Sequence, residues 1–274
     1  MVLRSVVLGF ALSLLIAVPA RATDTLEALV SVLHLPKLIG VMREEGLRQG
    51  EDIRQDLFEG RAAPGWSQAV SRAHDAEAML DTLKGGLERG MTLEQMDASV
   101  AFFRSTIGAR IVDLEVSARQ ARLDETVEEA SIRLLEQMQA DGAPRLALLE
   151  EFSEANDLVE ANVAGALNSN YAFLRGMSDG GAFGEALTEG WMLRETWVQE
   201  PEIRAETREW VLSYLAMAYA SLSEEDLRRY LEFSGTPAGR ALNAALFSGY
   251  EEMFVAISYK LGLAVARDLA GDDT

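Results

Sequence analysis

The chain has 274 residues, no cysteine and a formal net charge of −19. That length allows one large domain or two small ones and a full hydrophobic core. The lack of thiols excludes disulfide staples, thiol catalysis and zinc–thiolate sites, and the acidity argues against nucleic acid and anionic lipid as partners.

Arg4, an apolar run from Val6 to Val18, and Ala20-Arg21-Ala22 follow the order of a signal peptide. The run is too short to span a bilayer, so the pattern predicts residues 1–22 as a leader cleaved after Ala22. The mature chain would have 252 residues (274 − 22), and losing Arg4 and Arg21 takes its charge to about −21. With no Cys after the apolar run, a lipoprotein is excluded, and no later stretch is apolar enough to predict a transmembrane segment.

The rest reads as helices. Asp24 to Gln49 carries stripes at Leu26, Leu29, Val30 and Leu33, then Leu38, Ile39 and Met42, with a break near Pro36. A turn is predicted at 60–65, a helix over Trp66 to Leu87 weakened at Gly85-Gly86, and a long helix from Ser105 to Ala140. That long helix would turn Ile111, Leu114, Ala118, Val127, Ala130, Leu134 and Met138 inward and its Glu and Arg residues outward. Asp141-Gly142-Ala143-Pro144 is the clearest boundary. A helix over Arg145 to Leu174, a glycine-rich loop at 176–184 and two helices split by Pro201 follow. The tail over 269–274 is polar and is expected to be disordered. No window alternates with period two for long enough to predict a strand.

The most informative stretch runs from Ser223 to Ile257. Ser223 is a good N-cap, and Glu224, Glu225 and Asp226 suit the positive end of a helix. Gly235 ends that helix by the left-handed conformation glycine allows, and Thr236-Pro237 starts the next. Leu242, Leu246, Tyr250, Met253, Ile257 and Leu261 then form a continuous seam. A second copy of this logic begins at Thr92. Met96, Val100, Phe102, Ser105, Gly108 and Ile111 correspond to Leu227, Leu231, Phe233, Thr236, Gly239 and Leu242. Thr106 replaces Pro237. A looser correspondence at another offset pairs Leu29 with Leu149 and Leu38 with Leu158. These matches predict an all-α helical bundle of about eight to ten helices, built from two related repeats over 23–141 and 144–268.

The segment FSGTPAGRAL, Phe233 to Leu242, resembles the core motif of an exported bacterial family catalogued as domain of unknown function 2059, and FFRSTIG, Phe102 to Gly108, resembles a degraded copy of it. The resemblance implies a small helical domain and a periplasmic address. It implies no reaction. The motif residues singled out, as structural and as a possible interaction site, are Phe102, Gly108, Phe233, Thr236, Pro237, Gly239 and Arg240. Gly239-Arg240 could meet an anion at a helix N-terminus. The alternative is packing, with the glycine admitting the preceding helix and Arg240 covering a surface carboxylate.

Nothing else converges on chemistry. His34 and His74, the two histidines, lack ligand partners at helical spacing and read as surface or half-buried. Glutamate doublets diverge on a helix, and no serine sits in a nucleophile elbow. No cofactor, metal site or catalytic residue is predicted. Trp191, Trp197, Trp210, Tyr214, Tyr219, Phe233, Phe247, Tyr250, Phe254 and Tyr259 concentrate in the second half, as a larger core or as an aromatic and Met-rich ligand groove. The leading functional expectation is a non-enzymatic interaction or envelope-associated module with an unknown protein partner. The alternative is a periplasmic carrier of a small apolar ligand or peptide. Oligomeric state is left open.

Overall fold

A computed structural model describes residues 17–58, 63, 65–183 and 187–271, with side chains between 22 and 269. The first sixteen residues of the expected leader, most of the expected 60–65 turn, Gly184 and the last three residues lie outside it. The described residues are helical almost throughout and include no strand. In chain order the helices are α1 (Ala17–Val32), α2 (Leu35–Phe58), α3 (Trp66–Ala73), α4 (Ala76–Gly90), α5 (Leu93–Phe103), α6 (Thr106–Ala121) and α7 (Glu125–Ala140). They continue as α8 (Pro144–Ala155), α9 (Leu158–Asp179), α10 (Glu189–Trp197), α11 (Glu200–Ala218), α12 (Glu224–Ser234) and α13 (Pro237–Gly271).

The all-α class agrees with the sequence reading, but the helices are more numerous because several expected helices break at local caps. Asp75 accepts from the Ala78 N–H at 2.9 Å and separates α3 from α4. Asp124 accepts from Thr126 and separates α6 from α7. That break also resets the helical phase, so Ser131 and Leu135 face the core of α7 while Ala130 is exposed. The α1–α2 and α8–α9 breaks each place a non-glycine residue in the left-handed region, His34 at φ 50° and Asp157 at φ 52°. In the other direction, α4 runs unbroken through Gly85-Gly86, and α9 runs through Gly176 to Asp179. Both glycines are there for close packing. A Cβ on Gly86 would lie 3.0 Å from the Ala245 carbonyl oxygen, and one on Gly176 only 2.3 Å from that of Tyr259.

Both neighbours belong to α13, the organising helix. Its 35 residues lie against α9 along one side and against α3, α4 and α5 along the other. One apolar cluster joins α1, α5 and the start of α13 around Leu29, Met96, Phe103 and Leu242. A second joins α2, α3 and α4 to the far half of α13 around Trp66, Leu83, Met253 and Val265. A third joins α6, α8, α11 and α12 around Ile111, Leu149, Tyr219 and Leu227. Among the described residues no single helix is long and apolar enough to cross a membrane; α1 from Ala22 and α2 would qualify only as a pair, bent by 56°.

Candidate functional site: a polar-floored cavity beside the paired motifs

The two helix–break–helix motifs adopt the same local geometry. Thr92 closes a full capping box with Gln95, and Ser223 accepts from the Asp226 N–H. Ser105 accepts from the Gly108 N–H at 3.1 Å and donates to the Phe102 carbonyl. Thr236 does the same with Gly239 at 3.0 Å and with Phe233. A Cβ on Gly108 would lie 2.2 Å from the Phe102 oxygen, and one on Gly239 2.1 Å from the Phe233 oxygen, so each glycine lets the preceding helix touch backbone to backbone.

Pro237 opens α13 as anticipated, but two details depart from the sequence reading. Gly235 is not left-handed: its φ is −75°, because the cap at Thr236 restarts the chain at once. Arg240 does not cover a surface carboxylate among the described residues; it donates to the Gly235 carbonyl, closing the break from the far side. The motif residues are thus brought together as a structural knot, with Phe102 stacked on Phe233. Of the seven, only Phe233 and Gly239 reach the wall of the adjoining cavity.

That cavity, of about 1080 Å³, is partly open to solvent and lies among α2, α6, α9, α11, α12 and α13. Seven of the aromatic residues noted in the sequence line it: Trp210, Tyr214, Tyr219, Phe233, Phe247, Tyr250 and Phe254. Trp191 and Trp197 are exposed instead, and Tyr259 donates to Asp179 at 2.9 Å. Methionine contributes little to the wall, with Met42 on α2 its one representative.

The polar floor comes from α6, whose charges sequence reasoning placed in solvent. Glu115, Arg119 and Arg122 fall at i, i+4 and i+7, continuing the inward stripe of Ile111 and Val112. Glu115 accepts from the Tyr219 hydroxyl at 2.5 Å, and its backbone carbonyl accepts from Tyr214 at 2.8 Å. Burial pushes the Glu115 carboxyl up to about 7, against the opposing hydrogen bonds from Tyr219 and Tyr230. Glu115 still has accessible surface because it faces the cavity rather than packed side chains. Burial likewise raises the four tyrosine hydroxyls nearby, Tyr250 to about 12 and Tyr214, Tyr219 and Tyr230 further.

Both arginines are already engaged. Arg119 grips Glu45 of α2 with two bonds of 2.9 and 2.7 Å, and although burial opposes its charge, that carboxylate holds it ionised. Arg122 donates to Glu128, Ser213 and the Trp210 carbonyl, with its guanidinium 5.2 Å from the Trp210 ring. The wall also carries Glu206, Glu209 and Glu251. With Glu115 and Glu128 that makes five acids against two bases, an excess of three negative charges when Glu115 is ionised and two when it is protonated.

Neither histidine lies in this cavity. His34, at the α1–α2 break, has Nδ1 3.5 Å from Asp113. His74 is fully buried rather than half-buried, with its ring against Gly46 and Nδ1 2.9 Å from the Val70 oxygen. Among the described residues no group of three or more His, Asp or Glu converges to hold a metal ion.

Residues 77–137 match the family model described as "Uncharacterized protein conserved in bacteria (DUF2059)". The match covers α4 to α7, under a quarter of the chain, and so falls on the motif of Phe102 and Gly108 that reads as the degraded copy. No curated protein and no solved structure matches the chain.

Proposed function

We propose that the chain is an exported, non-enzymatic binding protein whose cavity holds an elongated, mainly apolar molecule carrying no negative charge. This takes up the carrier reading, which the sequence alone ranks behind an interaction module. The observation that carries it is the 1080 Å³ cavity, which pairs an aromatic wall with an excess of carboxylates. Ligand sites are typically concave, apolar and equipped with a few fixed polar groups. An incoming carboxylate would find Arg119 and Arg122 already paired with Glu45 and Glu128, with only the buried Nε–H of Arg122 unpartnered, and the remaining charges repulsive. A neutral or cationic head group meets hydroxyls, amides and acids.

A binding role also fits Glu115, the carboxyl that burial pushes up to about 7 among the described residues. Glu115 is bonded to tyrosines, and no base that could share acid–base work contacts it among the described residues. The leader pattern supports export to the periplasm. The matched caps, glycines and stacked rings support two related halves over 23–141 and 144–268.

The test is calorimetric titration with a long-chain alcohol, amine and carboxylate of equal length. The alcohol and amine should bind and the carboxylate should bind at least tenfold more weakly. Tightest binding by the carboxylate, or none by any of the three, would overturn the reading.

A further inference from the structure

Three hydroxyls converge on Glu115 at the floor of the cavity. Tyr219 donates to its carboxyl at 2.5 Å, Tyr230 donates to the same carboxyl, and Tyr214 donates to the Glu115 backbone carbonyl at 2.8 Å. A phenol has one proton to give, and these three are spent. What the cluster still offers a ligand is acceptor capacity, on the free lone pairs of the carboxylate and of the phenol oxygens.

No cation answers that carboxylate. Arg119, one turn along α6, is held by Glu45 of α2, and Arg122 by Glu128 of α7; neither contacts Glu115 among the described residues. The groups facing it from the other elements are Tyr214 of α11, Tyr219 just past its end, Tyr230 of α12 and Tyr250 of α13. None brings positive charge, and the remaining titratable side chains of the wall, Glu206, Glu209 and Glu251, are acids. An enclosed carboxylate is costly while it lacks a counter-charge, so a ligand that supplies one gains by it. Phe152, Tyr219 and Tyr230 pack on one another with ring centroids 5.0 to 6.3 Å apart, and all three line the cavity. Aromatic rings attract a cation through their negative faces.

We infer that Glu115 determines the specificity of the cavity and that the ligand it selects is a primary aliphatic amine, held as its ammonium ion on the Glu115 carboxylate and the tyrosine oxygens. The inference rests on the proposed binding role of the cavity and narrows it, from any head group without negative charge to one with three donors and no acceptor. An alcohol brings a single donor and no charge. A quaternary ammonium brings charge and no donor.

The test is calorimetric titration of the full chain with decylamine, decanol and decyltrimethylammonium at about pH 8, above the value to which burial raises Glu115. Decylamine should bind at least tenfold more tightly than either of the others. Glu115→Gln keeps an acceptor for Tyr219 but removes the charge, and should cut the preference for amine over alcohol to less than about threefold. Gly165→Leu, which fills the cavity, should bind none of the three, which separates the site from adsorption of a cation to an acidic surface. Decanol or the quaternary ion binding as tightly as decylamine overturns the inference and leaves the cavity reading standing. A preference for amine that survives Glu115→Gln does the same. Amine binding retained by Gly165→Leu shows an adsorbed cation and overturns it. Binding by none of the three removes the cavity reading and this inference with it.

Discussion

The rings of Phe102 and Phe233 stack with centroids 4.0 Å apart and planes within 5° of parallel. Each ends the short helix of its motif, one turn before the hydroxyl cap that starts the long one. The stack therefore joins the two motifs at their matching points. Phe103 meets both rings edge-on, and Tyr230 lies near-parallel to Phe102 at 5.9 Å. Truncating Phe102 and Phe233 to Ala separately and together should give a coupling energy of about 0.5–1.5 kcal/mol beyond the single losses. Denaturant midpoints of the four proteins measure it, and strict additivity would show that the rings merely adjoin.

The glycines that let each break close are a second test. At Gly108 and Gly239 a methyl group would meet backbone atoms within 2.2 Å, and backbone cannot swing aside as a side chain can. Gly108→Ala and Gly239→Ala should each cost about 1–3 kcal/mol by overpacking. Thermal unfolding checks this; an unchanged transition in either variant removes the account of that glycine.

Gly165 behaves in the opposite way. It lies inside α9 on the cavity wall, and nothing comes within 4 Å of where its Cβ would stand. Gly165→Ala should stabilise the chain by about 0.5–1 kcal/mol through helix propensity. Gly165→Leu should fold equally well and abolish ligand binding by occupying the space. Retained binding in a well-folded Leu variant would place the ligand elsewhere.

Glu115 supplies a pH signature. Burial raises its folded-state value from the ordinary 4.5 to about 7, so between those values the folded chain holds a proton the unfolded chain has released. The stability contributed by the neutral carboxyl is complete below about pH 4.5 and is lost as pH rises through 7, a loss of about 3 kcal/mol. Glu115→Gln keeps an acceptor for Tyr219 and removes that slope. The variant should match the wild type at low pH and exceed it above neutrality. Buried His74, whose charged form is disfavoured, contributes the reverse slope in both proteins and cancels in the difference. Parallel urea midpoints from pH 4 to 8 would contradict the assignment.

The parts that could be read from the sequence are those fixed by neighbours in the chain. Ser223, Thr236 and Pro237 cap and restart helices through bonds spanning three residues, and their pattern is visible without tertiary structure. The same is true of the Gly142-Ala143-Pro144 boundary, where Gly142 takes φ +60°. Asp75 and Asp124 were equally local signals, and reading them as caps would have divided the long helices. The floor of the cavity is different in kind. Glu115 faces inward because Tyr219, 104 residues later, supplies its hydrogen bond, and Arg119 because Glu45 lies 74 residues earlier. Charged residues at those positions read as solvated unless the partners are known. The remaining signal was periodic: Glu115, Arg119 and Arg122 lie on the stripe of Ile111 rather than opposite it.

The most direct measurement is native mass spectrometry of the mature chain purified from a bacterial periplasm, run beside the Gly165→Leu variant. The account predicts a bound mass on the order of a few hundred daltons on the wild type, lost on denaturation and missing from the variant. Wild type at its bare polypeptide mass, or an adduct carried equally by the variant, would contradict it.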